Sequence, residues 1–305
     1  MRIGVMAEER GGDQALVKLA DQLRRAADDG FASAWMSNIF GLDALTALAV
    51  AGSQVPGIEL GTAVVPSYPR HPAVLAQQAL TTALAVGPGR LNLGIGLSHK
   101  IVIEDMYGYS FDKPARHMRE YLSVLLPLLD GSPASVDGAT LSAHIGLSTP
   151  RTGRVPLLLA ALAPRMLELA GGQADGTVLW MTGPATVRDY VVPAITAAAA
   201  AAGRPSPRVV CALPVCVTSD PDGARARAEQ ELAIYGQLPS YRAMLDKEGA
   251  AGPGDVVIAG DEDTVTAQIA ALADAGVTDF VAAEVAHGED RDRTRKLLKA
   301  VAAAS

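Results

Sequence analysis

The chain has 305 residues, 49% of them hydrophobic and 19% charged, with 26 Lys and Arg set against 33 Asp and Glu for a formal net charge of −7. So much apolar material supports a large core. The acidic balance argues against a nucleic-acid partner, whose phosphates need a basic face, but an anionic small ligand stays open, because helix N-termini hold phosphates without a basic surface.

Arg2 leads straight into an apolar run, so no secretory signal is expected at this start. Eight such short runs recur along the chain, at 3–6, 34–37, 59–64, 92–96, 156–160, 177–180, 209–217 and 279–285. Between them lie segments of helical period with readable ends. Asp13 is the expected cap of the first helix, with Leu16, Leu19, Ala20 and Leu23 as its apolar stripe. Pro72, after His71, takes the first helical position, a preferred place for proline, and Pro164, Pro184 and Pro221 repeat the device. Pro193 should kink or split the helix that begins at Pro184. Asp261 caps a later helix with the stripe Val265, Ile269, Leu272 and an end at Gly276.

The two cysteines, Cys211 and Cys216, are five apart in one apolar run; on a strand they face opposite sides and cannot bridge. Free thiols suit a reducing cytosol. The longest apolar tract, "PAITAAAAAAG", is too short and alanine-rich to span a membrane. A soluble cytoplasmic protein is expected.

Eight β-then-α units with near-continuous apolar strands predict a parallel sheet covered by helices. Eightfold repetition favours one (β/α)8 TIM barrel over 1–305 rather than an open doubly wound sheet. "LNLGIGLSHK" has Gly94 and Gly96 but lacks the third glycine of a dinucleotide fingerprint. Segments 131–154 and 236–254 exceed ordinary connection length. They are read as insertions at the C-terminal face of the strands.

Barrel chemistry sits where the strands end. Those positions hold Glu8, then Ser37 and Asn38, then Val64 through His71, then Ser98 and His99. Later ones hold Ala160 to Ala163, Trp180 to Gly183, Thr218 and Glu284. Only His71 and His99 of the five histidines fall there, and no HxH pair exists, so no metal is expected. These loops also lack a phosphate-gripping lysine. Small residues before helices starting at Pro164 and Pro184 suit one phosphate on a helix N-terminus, and the apolar, weakly polar rim suits a flat heterocycle.

The stretches "GTAVVPSYPRHP", "LGIGLSH", "AALAPRMLELAGGQADG" and "SAWMSNIFGLDALTALA" resemble the luciferase-like monooxygenase superfamily. They are most similar to its branch that uses the deazaflavin coenzyme F420, and the resemblance runs from Arg2 to about Val285. It implies a bulge with a non-prolyl cis peptide at the end of the third strand, Ala63–Val64, backing the central ring of the cofactor. The proline-rich exit that follows would lock that bulge; from the residues alone it reads as an ordinary turn. The resemblance further implies cofactor contacts from Ser37, Asn38, Ala63, Val64, Val65, Gly96, Ser98 and His99. It places the ribityl chain and phosphate against Ala160, Ala161, Leu162 and Ala163, with a second phosphate loop at Thr182 and Gly183.

His99 matches a position where sugar-phosphate dehydrogenases of the family have a carboxylate. It would polarise or protonate the substrate, or else only hydrogen-bond the cofactor or cap the next loop. His71 reads as a helix N-terminal group. Asn38 stands where the family has a histidine and cannot shuttle a proton. Glu8, Trp180 and Glu284 are candidates for the substrate pocket, Trp180 equally for the core. Pro184 stands near the place of the family's substrate-gripping lysine, which argues against a sugar phosphate.

The reading is thus an F420-dependent oxidoreductase moving a hydride to or from a small unsaturated, imine or carbonyl/alcohol substrate. The alternatives are an FMN-dependent two-component monooxygenase and a catalytically degenerate cofactor-binding barrel. A homodimer is expected from the resemblance, with a small-molecule substrate and no membrane partner.

Overall fold

The computed structural model describes residues 1–8 and 12–305. Eight strands carry the fold: β1 (Arg2–Met6), β2 (Ser33–Met36), β3 (Glu59–Thr62), β4 (Leu91–Gly96), β5 (Leu157–Leu159), β6 (Gly176–Trp180), β7 (Arg208–Val217) and β8 (Asp279–Glu284). Each coincides with one of the eight apolar runs. Their order is β7-β8-β1-β2-β3-β4-β5-β6, and β6 pairs again with β7, so the sheet closes into a (β/α)8 barrel. No helix among the described residues is long and apolar enough to cross a membrane.

The chain forms two compact units. The first comprises Met1–Met6, Arg25–Trp35 and Ala161–Ser305. Its strands are parallel and in register, with Cys211 opposite both Leu179 and Phe280, and Ile3 opposite Phe280. At the foot of β8 the buried Asp279 takes a bidentate pair from Arg208, at 2.8 and 2.7 Å, the strong form of a carboxylate contact. Both cysteines are free and buried, as expected. The Cys211 thiol faces the Thr182 carbonyl, while Cys216 packs among Ala224, Ala228 and Val257. Segment 236–254 lies between β7 and β8 and is helical, built from the helix Pro239–Glu248 and the short turn Pro253–Val256. Beyond it, a strand at Ile258–Gly260 pairs with the last residues of β7, Val215–Val217.

The second unit comprises Ala7–Arg24 and Met36–Ala160. Here β3 breaks off after Thr62, passes through a cis Ala63–Val64 peptide, and resumes at Val65–Pro66 beside Ile95 and Gly96 of β4. The two glycines of β4 make this possible. A Cβ on Gly94 would stand 2.0 Å from the Thr62 carbonyl oxygen, and one on Gly96 would stand 2.8 Å from Val64 Cγ2. The glycine pattern that fails as a nucleotide fingerprint is therefore clearance for the bulge. Thr62 completes the seam: its Oγ1 accepts from Gly94 N–H and donates to Gly94 C=O, both at 2.8 Å.

Segment 131–154 corrects one expectation. It follows the helix Pro114–Leu129 rather than a strand, so it is not rooted where the strands end. It forms an antiparallel hairpin, Ala134–Asp137 with Ser142–Ile145. At about 3.3 Å per residue such arms reach back along the preceding helix. There Glu120 accepts hydrogen bonds from the N–H groups of Ala139, Thr140 and Leu141 and from the Thr140 hydroxyl.

The helix ends follow the sequence with one exception. Pro72, Pro164, Pro184 and Pro221 each open a helix, and Asp261 accepts from Thr264 N–H at 2.9 Å. Pro193 follows a π-helical turn, Val187–Val191, which interrupts the helix begun at Pro184. The first helix starts at Ala15, whose N–H bonds to Gly12, so Asp13 sits in the turn and not at the cap.

Candidate active site

In the second unit, His71 is the N-cap of the helix Pro72–Val86, its Nδ1 accepting from Ala73 N–H at 3.3 Å. That is the helix-end role expected of it. Asn38 likewise has its Oδ1 occupied, accepting from Ala44 N–H at 2.9 Å. An oxygen committed in this way leaves the NH2 as the group able to donate to a ligand, a hydrogen-bonding part and not a proton shuttle. Ala63 N–H bonds to the Met36 carbonyl at 2.8 Å, which ties the bulge to the strand end carrying Ser37 and Asn38.

At the end of β4, Ser98 holds φ of 60°, a left-handed conformation uncommon for a residue with a Cβ. Such backbone strain clusters at functional sites. His99 follows it. Burial holds the His99 imidazole below its usual pKa of 6.5, so it is neutral at pH 7. Its carbonyl accepts from Ile103 N–H, and a π-helical turn spans Val102–Met106 just beyond. Ala160 N–H bonds to Ile95 C=O, and the Ala160 methyl would lie 3.1 Å from a Cβ on Gly96. Val65 is fully buried beside β4, while Val64 is half-buried. Glu8 is pinned through its backbone, which exchanges two hydrogen bonds with the Gln22 side chain.

In the first unit the two predicted phosphate loops differ. Ala163 is the N-cap of Pro164–Gly172 and makes no side-chain cap; Pro164 has no N–H and the Met166 and Leu167 N–H groups bond to the Ala163 carbonyl, which leaves Arg165 N–H as the first-turn donor open to an anion. The Leu162 carbonyl accepts from Tyr190 Oη at 2.9 Å, and Lys247 sets its ammonium 4.4 Å from the Tyr190 ring centroid. The loop after β6 is different. Its helix start at Gly183–Pro184 already carries an anion: Glu248 accepts from Ala185 N–H at 3.1 Å and from Thr186 N–H at 2.7 Å. A Cβ on Gly183 would meet that carboxylate at 2.3 Å. Met181, at φ 53°, is the left-handed residue of this loop, and the Thr182 hydroxyl turns back onto the Trp180 carbonyl at 3.2 Å.

Trp180 is half-buried and meets Tyr235 edge-on at 5.9 Å, and Tyr235 in turn meets Tyr241 at 5.0 Å. Glu284 pairs with Arg295 at 2.5 Å, and Arg295 also binds Asp29 at 2.7 Å. Its carboxylate is therefore a strut between β8 and the C-terminal helix. Sequence reasoning did not find Tyr190, Tyr235, Tyr241, Lys247 or Glu248. Four of the five lie in or beside segment 236–254, whose length was the one visible signal.

The family model of luciferase-like monooxygenases matches residues 1–304. The chain belongs to that family. Among curated relatives, the 5,10-methylenetetrahydromethanopterin reductase of Methanolobus tindarius is 26% identical, over 93% of this chain and 94% of its own length. The F420-dependent glucose-6-phosphate dehydrogenase of Nocardia farcinica is 29% identical, over 95% of this chain and 88% of its own. The solved structure of the coenzyme F420-dependent tetrahydromethanopterin reductase from Methanopyrus kandleri superposes with a TM-score of 0.80 at 23% identity, covering 98% of this chain and 97% of that one. The cis Ala63–Val64 peptide that the family resemblance implies is present.

Proposed function

We propose that the protein is a coenzyme F420-dependent oxidoreductase acting on a small, uncharged substrate with an unsaturated, imine or carbonyl/alcohol group. One contrast carries the reading. The helix start after β5 is open to an anion, whereas the one after β6 already holds Glu248. The loop after β5 thus offers a place for the cofactor's phosphate, and the one after β6 offers none for a substrate phosphate. The Nocardia farcinica relative, which is named for F420, supports the same choice of cofactor.

The donors in each unit fit such a group: in the first unit the small residues Ala161 and Ala163 with Arg165 N–H at the Pro164 helix, and in the second Ala160, the glycine-cleared wall at Gly96 and the NH2 of Asn38. When bound, the deazaflavin supplies a carbon that gives or takes a hydride. The chain's own part is positioning and polarisation. His99, neutral in the folded protein, can polarise a carbonyl or imine through an N–H hydrogen bond. In the first unit the paired rings of Trp180 and Tyr235 offer an apolar surface.

The test is a fluorescence titration of the protein with F420 and, separately, with FMN. It is followed by a spectrophotometric hydride-transfer screen over unsaturated carbonyls, imines and alcohols. Tight FMN binding without F420 binding would end the proposal. We propose in addition that two copies associate as a homodimer through the helices Ala44–Gly52 and Pro72–Val86. Both lack any charged residue yet expose Val50, Val74 and Leu84.

A further inference from the structure

The second unit contains a cavity of about 850 Å³ that no part of the proposed reaction uses. Its walls are the turn after β3, the start of the helix Pro114–Leu129 with the loop before it, and the hairpin tip at Ala139–Leu141. Three of its lining residues have a buried polar atom without a hydrogen-bond partner: Tyr68 Oη, Arg70 Nη1 and Tyr121 Oη. Tyr121 is 1% exposed, and its hydroxyl has no partner within the protein. A buried donor left unmade costs about 1–3 kcal/mol, and all three of these donors belong to residues that border the same cavity.

The donors are held rigidly. Asp43 pairs with Arg70 through Nη2, and is itself fixed by the Thr46 N–H, the Thr46 hydroxyl and Gln78, so the direction of Nη1 is set. The Tyr68 ring stacks on His117 at 3.9 Å and 9°, and His117 is anchored by Ser67 Oγ at 3.0 Å. Lys113 holds a left-handed φ of 51° where the helix begins, and with Arg116 it brings two more cations to the lining. Arg70 is offset by its partner Asp43, so the lining's remaining charges are Lys113 and Arg116 against the carboxylate of Asp112, with Glu104 also acting on Tyr68. A set of O–H and N–H donors without acceptors, beside two cationic side chains, suits an oxyanion.

We propose that this cavity is a second ligand site, one that binds the phosphate or carboxylate group of a small molecule through Arg70, Tyr68 and Tyr121, with Lys113 and Arg116 at its rim. The anion has two possible sources: a free small molecule, or an acidic group attached to the redox cofactor.

Calorimetric titration of the full-length protein with inorganic phosphate, pyrophosphate and citrate tests it, with thermal-shift measurements on the same samples. At least one probe should bind and raise the melting temperature. Tyr121→Phe removes a hydroxyl with no partner in the protein, so it should fold, and should bind that probe at least about tenfold more weakly. Arg116→Gln, at an exposed position, should weaken it less. Repeating the titration with F420 present separates the sources. Loss of probe binding assigns the site to an acidic group of the cofactor, and unchanged binding assigns it to a free anion. The proposal is overturned if no probe binds the wild type. It is equally overturned if Tyr121→Phe raises the melting temperature while keeping the full probe-induced shift.

Discussion

A methyl group at Gly94 would sit 2.0 Å from a backbone oxygen, not from a movable side-chain tip. Gly94→Ala should therefore displace the Thr62–Val64 bulge and cost about 1–3 kcal/mol, the usual penalty of overpacking. Thr62→Val keeps the shape but strips Gly94 N–H and C=O of their partner in a fully buried setting, at about 1–3 kcal/mol. Urea unfolding of both variants measures these losses; a Gly94→Ala protein as stable as the wild type would mean the bulge is not packed as described.

At the same scale, burial lowers the pKa of both His99 and His117 below the usual 6.5. Such groups bind protons less readily folded than unfolded. They are therefore neutral in both states well above pH 6.5 and contribute no pH dependence there, whereas below it the unfolded chain takes up protons first and stability falls. Stability measured between about pH 7 and 5 should decline with acid. A His99→Gln, His117→Gln double variant should decline less steeply over that window, before the carboxylates titrate.

Among elements, the strands and the proline-opened helices were legible because each is set locally. An apolar run of strand length, or a proline at a helix's first position, needs no knowledge of the rest of the chain. What the sequence hid depends on contacts far apart along it. Glu248 reaches a helix start 62 and 63 residues earlier, and Glu120 clamps a hairpin tip 19 to 21 residues later. No periodicity marks either. His71 was readable as a cap because its partner is two residues away; the commitments of Glu284 to Arg295 and of Asn38 to Ala44 were not.

The Glu248 clamp can be tested directly. Glu248→Ala removes the acceptor for two helix-start N–H groups and should cost about 0.5–2 kcal/mol, as the loss of a helix cap does. Glu248→Gln, keeping one good acceptor oxygen, should cost less. Limited proteolysis should also cut the Ala variant faster within segment 236–254. Equal stability and equal cleavage in all three proteins would show that the contact contributes nothing.

For the whole molecule, the decisive property is the charge pattern of its outer helices. The C-terminal helix Glu289–Ala303 is what a solvent-facing helix looks like, rich in Arg, Lys, Asp and Glu. The helix Pro72–Val86 turns outward a stripe of Val74, Gln77, Thr81, Leu84 and Ala85, with no charge on it. Ile39 and Phe40, in the turn before Ala44–Gly52, add two more exposed apolar side chains in the same unit, at 57% and 62% exposure. Contiguous uncharged surface of this kind is the mark of a protein–protein contact. A second copy of the chain is the occupant we propose. Sedimentation should give twice the monomer mass, and thermal stability should rise with protein concentration, because association stabilises only the folded state. The Val74→Glu, Leu84→Glu double variant places two carboxylates where the proposed interface would desolvate them. It should sediment as a folded monomer. The same two charges added at exposed positions of Glu289–Ala303 should leave the mass unchanged. A wild type that stays monomeric across the concentration range would remove the homodimer and leave that uncharged stripe without a partner.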